Sequence, residues 1–196
     1  DETYSSYYDN CPFESVPNVP MHPWQVRTAP TGFDEESRRT ELSGYFTAVT
    51  EMDRNIARVL EKLDEMGVRD NTLVVFMSDN GMNMGHHGLY GKGNATFPMN
   101  MYDSSVKVPF IVSLPGRVPA GVVNTNMLSQ YDFMPTLLEY LGMANPEADS
   151  LPGKSFAPVL RGEELAGTES VVVYDEYGPV RMIRTRDWKD VHRLPC

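Results

Sequence analysis

The chain has 196 residues, 41% hydrophobic and 10% aromatic, a composition that folds and can bury one sizeable core. Its 27 acidic and 17 basic residues leave a formal net charge of -10, and without clustered lysine and arginine to displace counterions a general nucleic-acid binder is excluded. No stretch approaches the ~20 consecutive apolar residues of a membrane helix, Asp1-Glu2-Thr3-Tyr4 does not read as a signal peptide, and the two cysteines, Cys11 and Cys196, allow at most one bridge.

Residues 1–33 carry Pro12, Pro17, Pro20, Pro23 and Pro30, which remove backbone donors and keep the residues before them out of helix. They read as an extended lead-in. Tyr7, Tyr8, Phe13 and Trp24 are too many aromatics for a free linker, so this segment is expected to lie as a strap on a larger body. From 34 to 66, Leu42, Phe46, Val49, Met52, Ile56, Val59, Leu60 and Leu63 recur at three- and four-residue spacings and predict one long helix. Asp34 or Thr31 can cap it, Glu35 and Glu36 suit its first turn, and Gly67 suits a left-handed stop. Glu51, Arg54, Arg58, Glu61 and Lys62 mark its solvated face.

Leu73-Val74-Val75-Phe76-Met77, short, β-branched and bounded by Asn71 and Gly81, predicts a buried strand over 72–78. A second apolar run over 106–114 crosses Pro109, which places it at a sheet edge or a strand start. Ser129-Gln130-Tyr131-Asp132 has the spacing of a capping box for a helix to Leu141, with Pro135 confined to its first turn or splitting it and Gly142 as its stop. Residues 143–169 read as connection, and 171–177 with 180–186 as a hairpin turning at Tyr177-Gly178-Pro179. A long helix feeding a buried strand is an α/β layer arrangement, with the hairpin at a sheet edge.

The chemistry concentrates between residues 72 and 115. Asp79 and Asn80 close the first strand, and open α/β sheets bind ligands at that end because the crossover helices leave a crevice there. The pair offers one anionic and one neutral oxygen, hard ligands of the kind Ca²⁺ or Mg²⁺ takes, provided the backbone turns at Gly81. Two ligands do not complete a shell, and Asp-Asn-Gly also reads as a plain tight turn. Lys92, between Gly91 and Gly93, brings a point charge close to backbone and suits an oxyanion such as sulfate or phosphate. It lacks the glycine spacing and following Ser or Thr of a Walker loop, and also reads as an exposed loop lysine. His86 and His87 are adjacent, so only one ring faces a given site; either could be a general acid, an anion contact or a packed loop residue.

In combination, residues 71–81, Gly85-His86-His87-Gly88, Gly91-Lys92-Gly93 and residues 102–116 resemble the type I sulfatases of the alkaline phosphatase superfamily. Tyr45-Phe46-Thr47-Ala48-Val49, Met52-Asp53-Arg54-Asn55-Ile56, residues 130–138 and Arg181-Met182-Ile183-Arg184-Thr185 are also similar to that family. The resemblance implies a partial alkaline-phosphatase-like α/β sandwich, a mixed sheet with flanking helices. Residues 1–33 would be a lead-in packed on the domain, and 34–196 the carboxyl-terminal portion of an incomplete sulfatase catalytic domain. Asp79 and Asn80 would be two ligands of one divalent cation, Ca²⁺ before Mg²⁺. Lys92 would be the catalytic contact to sulfate, with His86 or His87 beside it in substrate binding. Asn80 points away from the two-metal phosphatases of the superfamily, which carry histidine there, because an amide oxygen fits a hard cation and imidazole a zinc-like one.

The sequence also departs from the family. Sulfatases use a formylglycine made from Cys or Ser in a C-x-P-S-R motif, whose hydrate attacks sulfur. Cys11-Pro12-Phe13-Glu14-Ser15 has its proline one place early and serine where the arginine belongs. The family's early Asp-Asp pair, first catalytic lysine and upstream histidines are absent, and His22 comes too late for the catalytic histidine and reads as structural. The resemblance therefore implies a chain that begins midway through the catalytic domain and is inactive alone. It would supply half a metal site and one sulfate contact to an enzyme that cleaves sulfate esters, carbohydrate sulfates before aryl sulfates. Exposed apolar surface would associate it with the amino half of its domain or with itself. The expected ligand is a sulfated small molecule or glycan, with no nucleic acid and no membrane span, and family habit alone points to a periplasmic, secreted or lysosomal-type compartment. Two alternatives stand beside this reading: a phosphoester hydrolase or phosphotransferase of the same superfamily, and a non-catalytic anion- or glycan-binding fragment using Lys92, His86, His87, Tyr90 and Trp24.

Overall fold

The structure is a computed structural model that describes residues 7–26, 34–165, 168–175 and 178–194. The alternative cap Thr31, the turn residue Tyr177 and Cys196 lie outside these residues. The chain divides into two units, Asp1–Arg69 with Met77–Pro109, and Asp70–Phe76 with Phe110–Cys196.

In the first unit helix α1 spans Glu35–Glu65. Asp34 is its cap: its carboxylate accepts from Ser37 N at 2.7 Å, and Ser37 Oγ accepts from Asp34 N at 3.2 Å. Gly67, at φ +67°, stops it as expected. The lead-in lies along this helix. Phe13, Val16, Leu42 and Met84 form a buried cluster with Tyr8, Cys11, Phe46 and Tyr90 packed on it, and the Phe13 ring stacks on Phe46 at 5.7 Å. Polar contacts fasten the edges: Arg38 Nη2 donates to Val16 O at 3.1 Å, Arg39 Nη2 to Asp9 O at 2.6 Å, and Tyr8 Oη lies 2.8 Å from Thr50 Oγ1. The apolar stripe of α1 is thus covered unevenly. Leu42 is fully buried, whereas Val49 and Met52, within the span of the strap's hydrogen bonds from Arg38 to Arg54, and Val59 beyond it are exposed.

Strand β1, Val74–Met77, follows a short 3₁₀ turn at Arg69–Asn71. Two two-residue strands, β2 Asn83–Met84 and β3 Tyr90–Gly91, come next and pair antiparallel. The one-turn helix α2, Asp103–Val106, takes the start of the second apolar run, so strand β4 spans only Phe110–Ser113. Pro109 has no N–H to donate to a ladder, and the strand begins after it. β1 pairs with β4 in a two-stranded sheet. Its four residues are half-buried rather than buried, since one partner strand covers one edge and leaves the rest of a hydrophobic ribbon open.

In the second unit a 3₁₀ turn at Gln130–Asp132 leads into α3, Phe133–Tyr140, with Pro135 in its first turn and Gly142 at φ +68° beyond its end. Residues 143–169 are not all connection: Ala157–Leu160 forms a short helix, α4. Phe110, itself exposed, meets Phe133 and Phe156 edge-on at 6.0 and 5.5 Å, and Phe156, Leu114, Ala157 and Leu160 are buried in this unit. Strands β5, Ser170–Tyr174, and β6, Val180–Thr185, pair antiparallel with Val172 opposite Ile183. A third strand, β7 Lys189–Arg193, adds to β6 with Asp190 opposite Ile183. Val180 and Met182 face inward while Arg181 and Ile183 face out, the alternation of a one-sided sheet. Among the described residues no helix is long and apolar enough to cross a membrane.

Candidate active site

Beyond β1 the chain turns sharply through Ser78, Asp79, Asn80 and Gly81. Ser78 Oγ donates to Asn80 O at 2.7 Å, and Asn80 Nδ2 donates to Asp79 Oδ1 at 2.8 Å, so the two candidate ligand side chains lie against each other. Asp79 is exposed and Asn80 half-buried. Gly81 is required here by close approach, because its N–H donates to Ser105 O at 2.9 Å and a Cβ would fall 2.1 Å from Ser104 O.

The ladder of β2 and β3 closes a loop that carries both histidines. Gly85 and Gly88 stand at φ +94° and +70°, and a Cβ on either would press on the strap, 2.7 Å from Pro17 O and 2.1 Å from Pro20 O. Between them His87 adopts a left-handed conformation, φ +58°, uncommon outside glycine but one that histidine, like asparagine and aspartate, takes more readily than most. Its ring lies flat on Tyr102, 3.9 Å between centroids and 12° between planes. Tyr102 Oη in turn lies 3.4 Å from His22 Nε2. His22 Nδ1 accepts from Trp24 N at 3.1 Å, which places the neutral ring's proton on Nε2, facing the tyrosine oxygen. Both adjacent histidines are exposed, His87 with one ring face stacked on Tyr102.

Lys92 is exposed, yet its backbone is held from beneath. Asn100, 4% exposed, donates from Nδ2 to the carbonyls of Lys92 and Gly93, and its oxygen accepts from Ser105 Oγ at 2.6 Å. Ser105 Oγ also accepts from Asn83 Nδ2 at 2.7 Å, and Asn83, fully buried, donates to Gly91 O at 2.9 Å and accepts from Ser104 Oγ. Every group in this network has a partner, which is what lets buried amides rigidify a loop rather than weaken it. The same Ser105 anchors Gly81, so one hydrogen-bonded frame carries both the Asp79-Asn80 turn and the peptide of Lys92. Sequence reasoning misses Asn83, Asn100, Ser104 and Ser105. A cue was present, since Met82-Asn83-Met84 and Met99-Asn100-Met101 each set one amide between two methionines, a polar residue in an apolar setting.

Nearby, burial pushes the Tyr90 hydroxyl above its ordinary pKa, and the Arg38 guanidinium partly offsets this. Among the described residues no group of three or more His, Cys, Asp or Glu is placed to hold a metal ion. Chemically the loop offers an adjacent carboxylate and amide at a strand end, and an exposed ammonium on a braced backbone.

Solved sulfatases share this mixed α/β fold. A structure described as a complex with its substrate D-glucosamine-2-N,6-O-disulfate superposes with a TM-score of 0.70 at 27% identity, covering 81% of this chain and 32% of that one. The family model named Sulfatase matches residues 3–143, and the chain belongs to the sulfatase family. It is 31% identical over 161 residues to an N-acetylglucosamine-6-O-sulfatase of Bacteroides thetaiotaomicron, covering 77% of this chain and 27% of that protein. An arylsulfatase of Clostridium perfringens is 30% identical over 190 residues, covering 87% of this chain and 36% of that protein. The chain thus spans about a quarter to a third of the length of these curated relatives.

Proposed function

We propose that this chain supplies one wall of the active site of an enzyme that hydrolyses sulfate esters of carbohydrates. The observation that carries the proposal is the frame through Ser105, which ties the Asp79-Asn80 turn and the Lys92 peptide to one support. In this reading Lys92 Nζ contacts the sulfate oxygens and stabilises charge developing on them. Asp79 and Asn80 give two oxygens to one divalent cation. Ca²⁺ suits them better than Mg²⁺, because it accepts mixed carboxylate and carbonyl oxygens in flexible geometry. The fit asks for one rearrangement: Asn80 turns its amide nitrogen toward Asp79, so the amide rotates to present its oxygen when a cation binds. The bound cation would polarise the ester and hold the nucleophile. No C-x-P-S-R motif occurs in residues 1–196, so the formylglycine of the whole enzyme lies outside them. In this reading His86 or His87, both exposed, meets the substrate, and the stacking of His87 on Tyr102 favours His86 as the freer ring. The carbohydrate preference rests on relatives whose names and bound substrate are sulfated amino sugars.

Thermal melts with added CaCl₂ and sodium sulfate test this, since a ligand that binds only the folded state raises Tm by mass action. Calcium is expected to raise the Tm of the wild type but not of Asp79→Ala, and sulfate to stabilise the wild type but not Lys92→Ala. Equal responses in wild type and variants overturn the assignment.

A further inference from the structure

The strap does more than cover α1. At Gln25 it forms an antiparallel bridge with Thr96, Val26 N donates to Ala95 O at 2.8 Å, and the Gln25 amide clamps Tyr90, accepting from Tyr90 N at 3.1 Å and donating to Tyr90 O at 3.3 Å. This bridge therefore straddles the loop 90–96 that carries Lys92. One step along, the antiparallel register sets two large aromatics opposite each other in the open, Trp24 at 49% and Phe97 at 70% exposure. Trp24 is also the outer end of a run of four rings. Trp24 meets His22 edge-on at 5.9 Å, His22 meets Tyr102 at 6.2 Å, and Tyr102 stacks on His87 at 3.9 Å. The backbone of the strap residue and the orientation of His22 are both fixed, the former by Gln25 and the latter by hydrogen bonds at both ring nitrogens.

Exposed aromatics on a bridge that braces the loop carrying an exposed lysine match one ligand chemistry closely. A pyranose ring presents a patch of C–H groups on its face and hydroxyls around its edge. An aromatic side chain can desolvate the face while leaving the edge wet, and an ammonium fixes an anionic substituent at one point of that edge. We infer that Trp24 and Phe97 form a platform for the sugar ring whose sulfate is held at Lys92. The inference rests on the sulfate-ester reading and adds to it the residues that recognise the carbohydrate. Lys92 accounts for the anion, and the two rings account for the sugar.

The test uses the full chain carrying Trp188→Phe, which leaves Trp24 as the sole emitter of the two tryptophans. It is titrated with N-acetylglucosamine 6-sulfate, with unsulfated N-acetylglucosamine and with sodium sulfate, by fluorescence and by calorimetry. The sulfated sugar is expected to change Trp24 emission saturably, and sodium sulfate to leave it unchanged. Trp24→Ala and Phe97→Ala are each expected to weaken the sulfated sugar by about ten-fold, the scale of one lost aromatic stack, with sodium sulfate affinity unchanged. Lys92→Ala is expected to weaken both. Trp24→Phe keeps a ring and should keep most of the affinity, which separates loss of stacking from loss of fold. If both alanine variants bind the sulfated sugar like the wild type while Lys92→Ala does not, the platform is wrong and the sulfate reading stands. If they change only self-association, the rings serve a protein contact and the platform is again wrong. If Lys92→Ala leaves sulfate binding intact, or the sulfated sugar does not bind, the underlying reading fails and the platform falls with it.

Discussion

Asn100 donates both hydrogens of its buried side-chain amide to two consecutive main-chain carbonyls, those of Lys92 at 3.1 Å and Gly93 at 3.0 Å. Its removal takes one of two hydrogen bonds from each carbonyl, which keep Ala95 N and Asn100 N as donors, leaves the Ser105 hydroxyl without its acceptor, and opens a gap in a buried setting. Asn100→Ala is therefore expected to destabilise the chain by about 2–4 kcal/mol. Asn100→Asp is expected to fare no better, since an ionised carboxylate has no hydrogen to give two carbonyls. Urea unfolding at unchanged slope measures the loss, and a shift under about 0.5 kcal/mol would mean that the network does not brace the Lys92 loop.

The glycines separate by what surrounds them. A Cβ on Gly88 would meet Pro20 O at 2.1 Å and His22 N at 2.8 Å, both backbone, from a residue at φ +70°. Gly88→Ala must push the strap off the histidine loop, and its cost should exceed the about 1 kcal/mol charged for a left-handed alanine alone. Gly44 sits in α1 with nothing within 4 Å of its Cβ position. Gly44→Ala should stabilise by about 0.5–1 kcal/mol, the helix-propensity difference. Two melting curves decide the matter, and a Gly88→Ala melt coincident with the wild type would show that the strap is not seated on the loop as described.

What could be read from the sequence was what local rules govern. The 34–66 periodicity, the Asp34 cap and the Gly67 stop all follow from single-helix physics, and α1 carries each of them. Burial was harder, because it depends on partners: the apolar run at β1 reads as buried, yet its residues are half-exposed beside one neighbouring strand. Charged Lys189-Asp190-Val191-His192-Arg193 hides a strand that only the edge of β6 makes favourable. Asp132 read as half of a helix cap, which it is, its Oδ2 accepting from Ser129 N at 2.7 Å. It also accepts from Lys154 N on Oδ1 at 2.8 Å, and Thr136 Oγ1 accepts from Phe156 N at 2.9 Å, so α3 anchors a segment taken for connection. Long-range hydrogen bonds of that kind leave no periodicity to detect. The candidate site divides the same way. Asp79, Asn80, His86, His87 and Lys92 stand out by residue type and spacing, while the buried amides beneath Lys92 show only as polar interruptions of methionine runs.

Acid should act on the second unit through Glu139. The Ser155 hydroxyl first, then the Arg161 guanidinium 2.9 Å away, hold its carboxyl below the ordinary 4.5. A carboxylate whose folded pKa is depressed contributes stability that is complete above its unfolded value and disappears as pH falls through the folded one. Glu139→Gln should accordingly cost little at neutral pH, within the about 0–1 kcal/mol of solvent-exposed pairs. Its difference from the wild type should fade as pH drops below 4.5, and added salt should shrink it further. Urea titrations of both proteins across that range follow the effect; a difference that grows on acidification would reverse the sign argued here.

Half-buried strands make a final prediction about the chain in solution. β1 presents Val74, Val75, Phe76 and Met77, none of them buried, and β4 presents Phe110 and Ile111, the latter 59% exposed. Among the described residues this sheet has two strands, and its partly exposed hydrophobic face is the kind of surface that recruits another strand. We propose that the isolated chain self-associates through this sheet at micromolar concentration unless another polypeptide covers it. Ile111→Lys puts a charge on an already exposed position of an edge, where it costs the fold little and opposes pairing. Sedimentation velocity at about 10 µM, within the range where exposed edges associate, should show dimers or larger species for the wild type and mostly monomer for Ile111→Lys. A wild type that sediments as a monomer and unfolds in one cooperative step would mean the sheet is stable uncovered, and the surface assigned to a partner would need none.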